Sequence, residues 1–342
     1  MRGAGWLATG LLAVGLLAPP AVQAAGPVFP VIDLHVDLPW HLHYRGRSLA
    51  LDKGMVTAKA MAAGHVEGVV LPFYLPPGKM PPGGPNPAEL EAVYATIEKL
   101  VLRPGSPFQP LPQAEQGRQV RGWLAFEGAQ ALAADPAAIR GWVQRGVRLV
   151  GLTHTKDNDL AGSSTGAKRK GLTEAGKSMA RHAIEAGALL DVSHLSDASF
   201  DDVAALAKEL GVPFVASHSN ARALCRQPRN LTDAQLRTLG ESGGVVGLNL
   251  HAPYLSDDPE PGLEQAVAQA EHLLRVAGDD HVAIGSDFDG GIVAPRDLPD
   301  ASAFPALAQA LLRRGHPEER VRKMFAGNAR RVLGFTRPTT AR

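Results

Sequence analysis

From residue 31 onward, short apolar runs rich in Val, Ile and Leu alternate with longer stretches that carry their charges on one face. Eight of the runs read as strands, at 31–34, 66–71, 122–126, 148–153, 188–193, 212–217, 245–250 and 282–286. The intervening patterns have the period of a half-buried helix and predict helices over 87–102, 173–186, 198–210, 232–242, 263–277 and 318–333. Eight strand–helix units in one chain of 342 residues specify a closed parallel barrel before a doubly wound sheet. The expected fold is therefore α/β, a single-domain (β/α)8 TIM barrel spanning 27–336. Residues 75–87 are too rich in Pro and Gly for helix or central strand, and read as a long rim or lid loop after the second strand.

Composition narrows the picture. With 45% hydrophobic and 20% charged residues the chain can bury one large core, and its net charge of +1 gives no footprint for nucleic acid or an acidic membrane. Arg2, an apolar run over 6–17 and small residues up to Ala25 form the pattern of a secretory signal, placed at 1–24. The protein is then exported, periplasmic or secreted. The run is short for a membrane span, so no transmembrane anchor is expected after cleavage, and an uncleaved N-terminal anchor is the alternative. Cys225 is the single cysteine, which excludes an internal disulfide and suits a small buried side chain. Residues 337–342 form a short polar tail.

The chemistry lies where the apolar runs end. Strand one runs into His35 and Asp37, strand three into Glu127, strand four into His154, strand five into His194, strand six into His218 and strand eight into Asp287. In a parallel barrel those ends share one rim. A lone histidine there is more often a satisfied structural residue, but six of eight strands delivering an imidazole or carboxylate to one rim is hard to explain by packing. The remaining histidines, His41, His43, His65, His182, His251, His272, His281 and His316, are read as structural. Imidazole and carboxylate without thiolate suit zinc, with manganese, cobalt or iron as alternatives. His35 and Asp37, two apart, can grip one ion, and His194 and His218, from adjacent strands, a second. Glu127 lies between the pairs and has two oxygens with which to bridge. Two ions about 3.5–4 Å apart would share a hydroxide nucleophile and polarise a carbonyl.

Several segments then carry a resemblance: Asp33-Leu-His-Val-Asp37, Phe126-Glu-Gly128, Leu152-Thr-His154, Gly171-Leu-Thr-Glu-Ala-Gly176 and Asp191-Val-Ser-His194, followed by Ala216-Ser-His-Ser-Asn-Ala-Arg222, Arg229-Asn-Leu-Thr-Asp233 and Gly285-Ser-Asp-Phe-Asp-Gly290. In kind and order they resemble the membrane (renal) dipeptidase family of zinc peptidases, within the amidohydrolase superfamily. The resemblance spans nearly all of 27–336. It implies two Zn2+ per chain, one held by His35, Asp37 and Glu127 and the other by Glu127, His194 and His218. It further implies that His154 contacts the substrate carbonyl and steadies the oxyanion. Arg229 would receive the C-terminal carboxylate of the substrate, and Asp287 would move a proton from the attacking water to the leaving amine, with Asp289 the weaker candidate.

The implied enzyme is an exported metallopeptidase that hydrolyses unblocked dipeptides, including those with a C-terminal D-residue, and opens penem-type β-lactams. Its partners are small dipeptide substrates, with a non-covalent homodimer in keeping with the resemblance. Residues 71–77 depart from the family pattern. The rivals are another amidohydrolase-type hydrolase (lactonase, phosphotriesterase or deaminase) and a catalytically silent binding protein. Arg229 and the Glu127 bridge argue against the first, and the complete set of site residues against the second.

Overall fold

The computed structural model describes residues 27–76, 86–108 and 120–335. The signal segment 1–24, the tail 337–342 and most of the loop at 75–87 lie outside the described residues.

Eight parallel strands close in chain order into a barrel: β1 (Val31–Asp33), β2 (Val66–Phe73), β3 (Arg121–Glu127), β4 (Val147–Gly151), β5 (Leu189–Asp191), β6 (Val215–Ala216), β7 (Val245–Leu248) and β8 (Val282–Ile284). The ring is sealed where Asp33 of β1 pairs with Ile284 of β8. All eight expected strands are present, and six of them end earlier than their apolar runs. At the end of β1, the N–H of His35 turns from the ladder to Asp33 Oδ1, 3.2 Å away. Ser193 and Ser217 donate their N–H groups to Asp191 Oδ1 at 3.0 and 2.9 Å, and Ser286 donates to Asp33 Oδ1 at 2.9 Å. Side-chain carboxylates thus replace strand neighbours at the rim, and the pairing stops there.

The helices are α1 (Leu38–Tyr44), α2 (Ala58–Ala63), α3 (Pro87–Leu102), α4 (Ile139–Gln144), α5 (Glu174–Ala186), α6 (Asp197–Leu210), α7 (Asp233–Glu241), α8 (Ala252–Leu255), α9 (Leu263–Ala277), α10 (Phe304–Arg313), α11 (Glu318–Arg322) and α12 (Asn328–Leu333). Their starts follow the sequence: Thr173, Ser196 and Thr232 accept N–H bonds from Gly176, Ser199 and Gln235, and the last forms a capping box. The expected helix over 318–333 is interrupted by a π-turn at Lys323–Gly327. Just past it the buried Asn328 turns inward and donates to the carbonyls of Asp279 and Val282, at the foot of β8.

One apolar layer fills the space between strands and helices. A second fills the barrel itself, where Ile32, Leu34, Val70, Leu149, Leu189, Val215 and Val245 meet Ala326, Ala329, Val332 and Leu333. The last turns of the chain therefore form the barrel floor. Period-2 alternation then lifts each strand from floor to rim: Trp123 and Ala125 lead to Glu127, Leu189 to Asp191, and Val215 to Ser217.

Candidate metal centre

Glu127 stands at the centre of the rim. Its Oε1 lies 3.0 Å from His194 Nε2, 3.4 Å from His35 Nε2, 3.5 Å from His218 Nε2 and 3.6 Å from His154 Nε2. His35 Nε2 is also 3.5 Å from Asp37 Oδ2, and His194 and His218 approach nitrogen to nitrogen at 3.0 Å. All of these groups except His154 are buried, with 1% of His35 and His218 and 6% of Glu127 exposed. Among the described residues three clusters result: Glu127, His194 and His218; His35, Asp37 and Asp287; and His35, Asp191 and His218, which shares a histidine with each of the others. In each, every residue brings one potential ligand atom within 4.8 Å of the others.

The donor set fits divalent cations. One carboxylate oxygen cannot accept hydrogen bonds from four ring nitrogens, and His35 Nε2 has no hydrogen-bond partner although it is buried. Electrostatics point the same way. Burial holds His194 and His218 well below the ordinary imidazole range, with the Arg229 charge lowering both further, so both rings are neutral and can offer lone pairs. Burial also opposes charge on Glu127, but the imidazoles of His154, His35 and His194 outweigh it and hold the carboxyl well below its usual value. At His35 burial is outweighed by Glu127 and Asp37, which push its pKa well above normal. The two carboxylates demand positive charge at that point.

Asp287 is the opposite case: burial and then the neighbouring Asp37 carboxylate raise it well above the usual range. Asn249 Nδ2 donates to its Oδ2 at 3.0 Å. Asp287 and His194 adopt left-handed backbone, φ +65° and +70°, a conformation that costs an L-residue energy and persists at sites that require it. Gly290 makes the crowding possible, because a Cβ there would lie 2.3 Å from Asp287 Oδ1 and 2.6 Å from Asp37 Oδ2. Asp289, the weaker candidate, turns away and binds the N–H groups of Met55 and Val56 and the Arg47 guanidinium, tying segment 47–56 to the loop after β8.

A pocket of about 250 Å³ opens over this centre, walled by Trp40, Tyr74, His154, Arg229 and Tyr254. Arg229 is only 4% exposed, yet among the described residues its side chain makes one hydrogen bond, a 3.5 Å contact to the His218 carbonyl. Tyr74, in the atypical stretch after β2, packs against His154 with ring centroids 4.4 Å apart and the planes tilted by 50°. His251, read as structural, also lines this pocket, with its Nδ1 accepting the Val293 N–H and its ring edge-on to Tyr254. His43 does serve packing, bonded to Thr96 Oγ1 at 2.8 Å. Sequence reasoning missed Asp33, Asp191, Ser217 and Asn249. The only signal for the first two is an acid two residues before a strand-end His or Ser.

The model of the membrane dipeptidase family (peptidase family M19) matches residues 22–341. An uncharacterized protein in the pqqA 5′ region of Klebsiella pneumoniae is 36% identical over 218 residues, covering 61% of this chain and 79% of its own length. The dipeptidase verJ of Clonostachys rogersoniana is 33% identical over 218 residues, covering 63% of this chain and 55% of its own length. Among solved structures, a metallopeptidase from Rhodobacter sphaeroides, liganded with a phosphinate mimic of the dipeptide L-Ala-D-Ala, superposes with a TM-score of 0.79 at 28% identity. That alignment covers 91% of this chain and 100% of the other.

Proposed function

From the premise that this chain belongs to the membrane dipeptidase family of metallopeptidases, we propose that it is an exported zinc dipeptidase that cleaves unblocked dipeptides, including those with a C-terminal D-residue. The observation that carries this reading is Arg229: a buried guanidinium with one long hydrogen bond, facing the same small pocket as Glu127, His154 and Asp287. A buried cation with unused donors calls for an anion, and a guanidinium fits a carboxylate bidentately. A pocket of about 250 Å³ that holds both this anchor and the rim centre suits a substrate of two residues. The dipeptide mimic bound by the R. sphaeroides relative supports extension to a D-residue.

In this reading His35, Asp37 and Glu127 hold one zinc, and Glu127, His194 and His218 the other. The bound ions supply a nucleophilic water at neutral pH and polarise the scissile carbonyl. Arg229 fixes the substrate carboxylate and thereby the carbonyl's position. His154, whose pKa burial lowers, is neutral and offers an N–H to the developing oxyanion. Asp287, raised and held by Asn249, passes a proton from the water to the departing amine. The signal peptide at 1–24, the peptidase domain at 27–336, the tail at 337–342, periplasmic or secreted placement and a non-covalent homodimer belong to the same proposal. Among the described residues no helix is long and apolar enough to cross a membrane.

The test is hydrolysis of a panel of L,L and L,D dipeptides alongside lactones and phosphotriesters, with zinc counted per chain. The expected result is two zinc ions and dipeptide cleavage, with Arg229→Ala lowering kcat/KM by the equivalent of about 2–5 kcal/mol, mostly through KM. A chain without metal and without activity on any dipeptide overturns the reading.

A further inference from the structure

We infer that Ser217 is a positioning residue whose single hydroxyl orients one metal ligand in each half of the centre and so ties the affinities of the two ions together. This rests on the two-metal reading above and extends it to a residue outside the ligand set.

Ser217 Oγ lies 2.8 Å from His218 Nδ1 and 3.3 Å from His35 Nδ1. The two rings lie against each other with centroids 3.8 Å apart, and the Nε2 of each faces Glu127 Oε1. If both Nε2 lone pairs go to cations, both Nδ1 atoms carry hydrogens and need acceptors. A hydroxyl has two lone pairs and one proton. Accepting from both rings uses the lone pairs, and the proton needs an acceptor of its own. The Asp191 carboxylate, which accepts the Ser217 N–H at 2.9 Å and has an oxygen within 4.8 Å of a nitrogen on each ring, is the acceptor we assign to that proton. Asp191 is in turn fixed by the N–H groups of Ser193 and Ser217. With that assignment both lone pairs and the proton of the Ser217 hydroxyl are used.

The hub is also rigid and dry. Ser217 is fully buried and Asp191 is 5% exposed. The Ser217 carbonyl is clamped between Gly247 and Gly285, where a Cβ would come within 2.0 and 1.8 Å of its oxygen. His35, Asp191 and His218 by themselves have the spacing of a third metal cluster. The Ser217 hydroxyl bonded to both rings makes the cluster a hydrogen-bond hub instead.

The experiment loads wild type and Ser217→Ala with zinc and titrates each with a competing chelator, counting ions retained per chain. The expected result is that Ser217→Ala, with unchanged circular dichroism, loses both ions together at about 10–100-fold lower chelator strength. Ser217→Thr, which keeps the hydroxyl, restores retention. Ser217→Ala holding both ions at wild-type affinity, or releasing only one more easily, overturns the inference and leaves the dipeptidase reading standing. A wild-type chain that binds no zinc overturns both. Should Ser217→Ala not fold, nitrogen-15 spectra of the loaded wild type decide. Protons on Nδ1 of both His35 and His218 support the hub, and a proton on Nε2 of either overturns it.

Discussion

The two ends of the barrel are made by the same eight strands and do opposite work. At the floor, inward positions are Ile32, Val70, Leu189, Val215 and Val245, capped by Val332 and Leu333, and every one is apolar and buried. Two or four residues further along, the same strand faces carry Glu127, Asp191 and Ser217. The floor gains free energy by removing apolar surface from water, whereas the rim spends it on desolvated carboxylates and left-handed residues. Stability and chemistry are thus separated along the barrel axis, a few residues apart on each strand.

The sharpest way to break this comparison is Asp287→Asn. The proton-transfer role proposed for Asp287 predicts a loss of about 10²–10⁴ in kcat. Because burial and Asp37 already disfavour the Asp287 charge, an amide there leaves the melting temperature unchanged or higher. A large loss of stability with little loss of rate would show that the rim is structural after all. Leu333→Ala is the mirror test at the floor. It should cost about 2–5 kcal/mol of stability in denaturant melts. The kcat and metal content of the folded fraction should stay at wild-type values, and a rate loss on the scale of the rim variant would erase the distinction between the ends.

Cys225 gives the smallest effect and refines the boundary, because it follows the His218 strand end yet behaves as packing. Burial, with Asp257 beside it, pushes its thiol up to about 11 from 9.0. The native thiol should be inert to thiol reagents at pH 8 and react once unfolded. Since the folded pKa is the higher one, any stability advantage over Cys225→Ala is fully present below pH 9 and is lost as the pH rises to about 11. A native thiol that labels at pH 8 as fast as free cysteine would place it among the reactive rim groups.

The barrel was legible because each strand is a compact run of β-branched and apolar residues, and the seven rim groups from His35 to Asp287 because each follows such a run directly. The helices α1, α2, α4, α8 and α10 are not among the expected ones; the first four are too brief to display a period, while α10 spans ten residues. Arg229 sits in the loop after β6, where no periodicity marks it, and was reached through family resemblance alone. Asp33, Asp191 and Ser217 escaped for a deeper reason. Their partners lie on other strands: Ser217 meets His35 across 182 residues, and Asp33 meets Ser286 across 253. A linear pattern counts them as the polar tail of a strand, and only closure of the ring shows what they bind.

That closure also sets an order of events. β8 completes the ring by pairing with β1, and the floor is plugged by α12, so the first strand waits for the last strand and the last helix. The ring cannot close until residue 284 has been made, nor the plug form until residue 333, and until then the inward apolar positions of the floor lack their cover and are open to aggregation. Truncating the chain before α12 should therefore leave an open, sticky barrel instead of a smaller one.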